Sequence, residues 1–242
     1  MRFLIKLLTL IALIIITQNA FGFETRIKIG IIDSGISFSQ SLGDHLCKDG
    51  RKSAIIFDSG LDRNGHGTNV FGLIAKQIDP KTHCIISYKF WDSQHSLNVE
   101  LNITNSVYQA RKDGVKYINM SLGGPGSNAS EMNQIGLALE EGVTIIVAAG
   151  NESTNLNITC NYFPACYKKK FLKKYNNFIV VGAKDVDVAN YGKIVEVYEK
   201  GYKVGTPVLT GTSQATAIHT GKIILKNLKK RGIVTSGGKN DK

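Results

Sequence analysis

Stretches of the chain that are apolar without alternation are separated by stretches in which apolar residues recur at helical spacing. Arg26 to Ile32, Cys84 to Phe90, Lys116 to Met120, Val143 to Ala149 and Phe178 to Gly182 are short, rich in Ile and Val, and lack an alternating polar face. That pattern predicts strands buried on both sides. Gly67 to Gln77, Val99 to Lys112, Ser130 to Glu141 and Ser213 to Lys230 predict helices, with Asp113-Gly114 and Glu141-Gly142 as stop signals. Strand and helix alternating at this spacing imply right-handed crossovers. The expected class is therefore α/β, a three-layer α/β/α arrangement around a mainly parallel sheet. Lys193 to Val208 is a weaker stretch, and no repeat or linker divides the chain.

The N-terminus departs from this pattern. Arg2 and Lys6 precede an apolar run from Leu7 to Ile16 broken only by Thr9, and Gln18 to Gly22 supplies small residues for cleavage. Residues 1–22 read as a signal peptide, residues 23–235 as one catalytic-type domain and residues 236–242 as a polar tail. The run is short for a membrane anchor. The expected location is secreted or periplasmic, with no stable membrane insertion after cleavage.

Composition supports a globular domain. The chain has 242 residues, 43% of them hydrophobic and 20% charged, which excludes a disordered or collagen-like protein. Its formal charge is +11, falling to +9 when Arg2 and Lys6 are lost with the signal. Much of the excess lies in Lys168, Lys169, Lys170, Lys173 and Lys174, a run that reads as a solvated face or as a dock for anionic surfaces. It lacks the interleaved aromatics of a nucleic-acid stacking platform, so no nucleic-acid partner is expected. Four cysteines in an exported chain are an even set. Cys160 and Cys166 are close enough to staple one loop, leaving Cys47 for Cys84, one of three possible connectivities; free buried thiols are the other option. No Cys and His spacing forms a zinc pattern, and neither metal nor cofactor is expected.

In open α/β sheets ligands bind at the carboxyl ends of the strands, and reactive groups fall there. Asp33 ends an apolar strand, where a carboxylate needs a partner. His66 stands between two glycines at a helix start, and its unperturbed pKa suits general-base work near neutrality. Ser213 follows Gly211-Thr212 at another helix N-terminus, where N–H groups and the helix dipole favour developing negative charge. Singly, the three also serve as a turn residue, a surface cap and an N-cap; together they can orient, deprotonate and attack.

The surrounding motifs are Ile32-Asp33-Ser34-Gly35-Ile36, Asn64-Gly65-His66-Gly67-Thr68, Ile118 to Gly124, Val147 to Glu152 and Gly211-Thr212-Ser213. Over roughly residues 26 to 231 the chain resembles the subtilisin-like serine proteases, or subtilases, whose chain order is also Asp, His, Ser. The resemblance implies a subtilisin-like fold and a monomeric endopeptidase acting on polypeptide through an acyl-enzyme intermediate. Ser213 would be the nucleophile, His66 the base, Asp33 its orienter and Asn151 the oxyanion donor. Ser121, Leu122 and Gly123 would pair with extended substrate, and Ala149, Gly150 and Glu152 would line the other wall of the primary specificity pocket. A pseudoenzyme or binding protein using the Lys-rich stretch is the alternative.

Several positions differ from the family pattern. Gln214 stands where Met commonly follows the nucleophile, Ala217 where Pro is usual, and Asn69 and Phe71 replace a His and a small residue after the base. Only a few residues separate Gly22 from the first strand, so the pro-segment that many secreted members carry is not expected here. Residues 165–177 read as a Lys-rich insertion beside the specificity wall, after a Phe163-Pro164 segment that in the family often contains a cis proline.

Overall fold

The computed structural model describes residues 24–37, 40–94, 97–171 and 174–230. The signal segment at 1–22, the tail at 236–242 and Lys173 lie outside them. A seven-stranded sheet, parallel throughout, forms the middle layer in the order β2-β3-β1-β4-β5-β6-β7. Its strands are β1 Ile27–Asp33, β2 Leu46–Ser53, β3 His83–Lys89, β4 Tyr117–Met120, β5 Thr144–Ala148, β6 Phe178–Ala183 and β7 Val197–Glu199. The helices are α1 His66–Ala75, α2 Val99–Lys112, α3 Ala129–Glu140, the single turn α4 Lys168–Phe171, and α5 Thr212–Lys230.

The strands are apolar along their length because both faces are covered, and successive residues serve different layers. Ile29 and Ile31 of β1 face one core with Val70, Phe71 and Ile74 of α1 and Ala217 and Ile224 of α5. Ile32 faces the other, with Val107 and Ala110 of α2 and Ile135 and Ala138 of α3. Each fully buried Ile contributes about 1.5–3 kcal/mol through burial. Helices α1 and α5 therefore share one face of the sheet, and α2 and α3 the other.

Two strands had no apolar signature. β2, of sequence LCKDGRKS, is an edge strand with a register break between Leu46 and Arg51, so only part of it is buried. The Cys47–Cys84 disulfide fastens it to β3, and Cys160–Cys166 closes the second loop. β7 is three residues at the opposite edge.

The Lys-rich stretch is not a free solvated loop. It forms a 3-10 turn, Ala165–Tyr167, running into α4, because Tyr167 and Phe171 are buried in the α2/α3-side core. Lys168 is buried too, donating to the Phe178 carbonyl and pairing with Glu196 at 2.8 Å. Lys174 pairs with Glu140 at 2.6 Å. Among the described members of the run, only Lys169 and Lys170 remain as an exposed, unpaired positive surface.

Candidate active site

β1 and β4 are neighbours, and their carboxyl ends deliver Asp33 and, just past β4, Ser121 to one place. α1 starts against that point because it carries glycine there: a Cβ on Gly67 would stand 2.1 Å from the Gly35 carbonyl oxygen. His66, the first residue of α1, thereby puts Nδ1 2.7 Å from Asp33 Oδ1, which also accepts from the Ser34 N–H. Burial alone would lower the His66 pKa. The charge of Asp33, its hydrogen bond and the more distant Asp62 outweigh that, and His66 is held above its ordinary value.

Asp62 is a part of the site that the sequence did not expose. Its Oδ1 accepts from Ser34 Oγ and from the N–H groups of Asn64 and Gly65, and its Oδ2 accepts from the Thr68 N–H and hydroxyl. The loop that carries His66 is thus wound around one carboxylate, whose pKa stays low because these bonds outweigh its burial. The local signal was available: Asp62-Arg63-Asn64-Gly65 is a run of turn formers whose first side chain can bond the backbone ahead of it.

Ser213 is the second residue of α5. Its Oγ donates to the Ser121 carbonyl at 3.0 Å, while Ser121 Oγ donates back to the Ser213 carbonyl at 2.9 Å. Among the described residues no hydrogen bond runs from Ser213 to His66. Beneath them, Asn119 of β4 donates to Ser121 Oγ and accepts from Thr220 of α5, a buried polar tie between sheet and helix. Asn151 offers Oδ1 to the Thr212 N–H at 2.9 Å, and its amide nitrogen lies beside Gly211, 3.2 Å from where a Cβ would stand.

Gly150 adopts φ +99°, and a Cβ there would meet Asn190 Nδ2 at 2.4 Å. Asn190 is the anchor of this wall. It donates to the Ala149 carbonyl and to Glu152, and accepts from the N–H groups of Glu152 and Thr154. Lying 38 residues from Glu152, it had no local sequence signal. Between this wall and Gly123-Gly124 is a cavity of about 410 Å³, with Glu152 on one side and Tyr162 against Gly123 on the other. Leu122 instead lines a second, larger cavity on the α2/α3 side. Of the expected substrate-binding residues, Ser121 and Leu122 line the larger cavity, Glu152 the smaller and Gly123 both, whereas Ala149 and Gly150 are buried behind the wall and line neither.

Two departures from the family pattern prove to be one feature. Gln214 Nε2 donates to Asn69 Oδ1 at 3.1 Å, and Asn69 Nδ2 donates to the Val204 and Pro207 carbonyls. The residue after Ser213 is thereby tied to α1 and to the 204–207 turn. The Phe163–Pro164 peptide is cis, as the resemblance implied. Among the described residues the one cluster of metal-type ligands is Glu24 with Cys47 and Cys84, whose sulfurs are bonded to each other.

A parallel α/β/α sheet with a carboxylate ending an interior strand, a histidine bonded to it and a serine at an opposing helix N-terminus defines the subtilisin-like class of fold. The subtilase family model matches residues 24–228, and the chain belongs to that family. It is similar to subtilisin-like protease 2 of Pseudogymnoascus destructans, 32% identical over 82% of this chain and 52% of that protein. It is also similar to subtilisin DY of Bacillus licheniformis, 29% identical over 82% of this chain and 76% of that one. The chain thus spans about half the length of the first of these relatives. Among solved structures, a cold-adapted subtilisin-like serine proteinase shares the fold at TM-score 0.66 and 23% identity, over 86% of this chain and 78% of that one. The nisin leader peptidase of Lactococcus lactis does so at TM-score 0.65 and 19% identity, over 86% and 79%.

Proposed function

We propose that the chain is an exported serine endopeptidase that hydrolyses extended polypeptides through an acyl-enzyme intermediate. The observation that carries this reading is the 2.7 Å bond between His66 and Asp33, placed across from Ser213 at the start of α5. Asp33 holds the imidazole with Nδ1 protonated, leaving Nε2 as the base. A peptide pairing with the Ser121 edge would take up the Ser121 carbonyl with a backbone N–H. That exchange releases Ser213 Oγ from its present acceptor and lets it give its proton to His66 as it attacks the scissile carbonyl. Asn151 Nδ2 and the Ser213 N–H, at the positive end of α5, stabilise the oxyanion. His66 then protonates the departing amine, and water repeats the sequence to free the acyl group.

Export is supported by the n-region and apolar run of residues 1–22. Among the described residues no helix is long and apolar enough to cross a membrane. Docking through the Lys-rich stretch loses its basis with the burial of Lys168 and the pairing of Lys174. The test is labelling by a fluorophosphonate probe together with cleavage of unfolded casein. Ser213→Ala is expected to remove both, and cleavage by that variant at the wild-type rate would overturn the reading.

A further inference from the structure

On the far side of the Ser121–Gly124 edge from the 149–152 wall lies the larger cavity, about 530 Å³. Val99 and Ile103 of α2, Leu122 and Trp91 make it apolar, and Glu100 of α2 and Glu131 of α3 also line it. None of the described residues lining it is Lys, Arg or His. Glu131 is 6% exposed, and only one of its oxygens is satisfied: Oε2 accepts from the Tyr167 hydroxyl at 3.1 Å, while Oε1 is buried with no partner. Glu100 is exposed at the rim and held by Asn128 Nδ2 at 3.0 Å.

A carboxyl buried without its hydrogen bonds is costly, and a second carboxylate nearby makes its ionisation worse. An apolar ligand would leave that cost in place; a cation would remove it. Resting on the proteolytic reading above, we propose that this cavity is a subsite for the side chain of a lysine or arginine in the bound polypeptide. The stem of that side chain lies along Leu122 and Ile103, and its charged head sits between Glu131 and Glu100. A bare metal ion suits the cavity poorly, since calcium takes six to eight oxygens and Glu100 and Glu131 are the only carboxylates among the described lining residues. The unsatisfied state of Glu131 agrees: burial first, then the charge of Glu100, push its pKa up to about 7 despite the Tyr167 bond. The chain is basic overall, so attraction of a basic peptide here is local and not a consequence of net charge.

The test walks a single Arg, or neutral norleucine, through the positions upstream of a fixed cleavage site and measures kcat/KM with the full chain. One position should favour Arg over norleucine by about tenfold. Glu131→Gln should bring that ratio close to one, and Glu100→Lys, an exposed substitution that spares the core, should reverse it and favour Glu at the same position. Ratios near one at every position in the wild type, while peptides are still cleaved, would overturn the subsite and leave the protease reading standing. If no peptide is cleaved, calorimetric binding of the Arg and norleucine peptides to the wild type decides the subsite separately. Tighter Arg binding that is lost in Glu100→Lys supports it, and equal binding overturns it. Loss of the Arg preference in millimolar calcium chloride, with a rise in Tm, would assign the site to a metal ion instead.

Discussion

Two of the buried acids near the carboxyl end of the sheet meet opposite fates. Asp62, on the α1 side, is 7% exposed and collects bonds on both oxygens from Ser34, Asn64, Gly65 and Thr68. Its pKa lies below the ordinary range. Glu131, on the α2/α3 side, is equally buried at 6% but accepts one bond and leaves an oxygen empty. Its pKa rises to about 7. Their exposure is closely matched, and what separates them is the set of donors aimed at Asp62 and, at Glu131, deeper desolvation with the charge of Glu100 beside it. The α1 side is a closed network that positions His66; the α2/α3 side is an unfinished one, open to a ligand that completes it.

The most severe breaks are expected at the proposed catalytic residues beside the closed network. Ser213→Ala should eliminate probe labelling, and Asp33→Asn should lower kcat by about 10⁴-fold, because the imidazole loses the partner that sets its tautomer. In the wild type, activity should rise with pH as His66 loses its proton, with a midpoint above the ordinary value of about 6.5 because His66 is held upward. A midpoint at or below that value would contradict the influence of Asp33 and Asp62. Asn151→Ala should cost turnover about 10²- to 10³-fold, the range known for a subtilisin oxyanion donor, with little change in KM.

Smaller effects separate the two acids themselves. Asp62→Ala strips the acceptor from the His66 loop and should cost about 3 kcal/mol or more, seen as a large fall in Tm. Glu131→Gln should act in the opposite direction at high pH. The Glu131 pKa is raised on folding, so from about 4.5 to 7 the folded protein holds a proton that the unfolded chain has released, and stability declines across that window. Glu100 and the Tyr167 hydroxyl face it, the first raising and the second lowering its pKa. Thermal melts should show the variant several degrees more stable than wild type at pH 8 and no more stable at pH 4. A gap that does not depend on pH would mean Glu131 is satisfied in solution.

Sequence alone was enough for the elements whose signal is local. β1 and β3–β6 announce themselves by apolar runs, and α2 lies where its periodicity and Asp113-Gly114 place it, at Val99–Lys112. The candidate residues Asp33, His66, Ser213 and Asn151 stood out for a related reason: each sits in a short motif whose glycines and turn residues reflect close backbone approach, as at Gly67 and Gly150. β2 and β7 were not legible, since an edge strand needs no continuous apolar face.

What only the tertiary structure decided depends on residues far apart in the chain. Asn190 anchors a wall 38 residues away, and Asn69 meets Gln214 across 145 positions. Neither side chain has a local partner that would mark it. The lysines of α4 show the same limit in charge. As a string they read as one positive surface, but the burial of Tyr167 and Phe171 turns that segment inward, taking Lys168 to the Phe178 carbonyl and leaving Lys174 on Glu140. Glu131 sits at a helix start where an acid is ordinary, and only the packing of Tyr167 and the cavity wall around it leaves one of its oxygens unsatisfied. Local pattern sets which elements form and where the chain can turn; the satisfaction of a buried polar atom is set by whatever other segments bring to it, and that is a property of the fold.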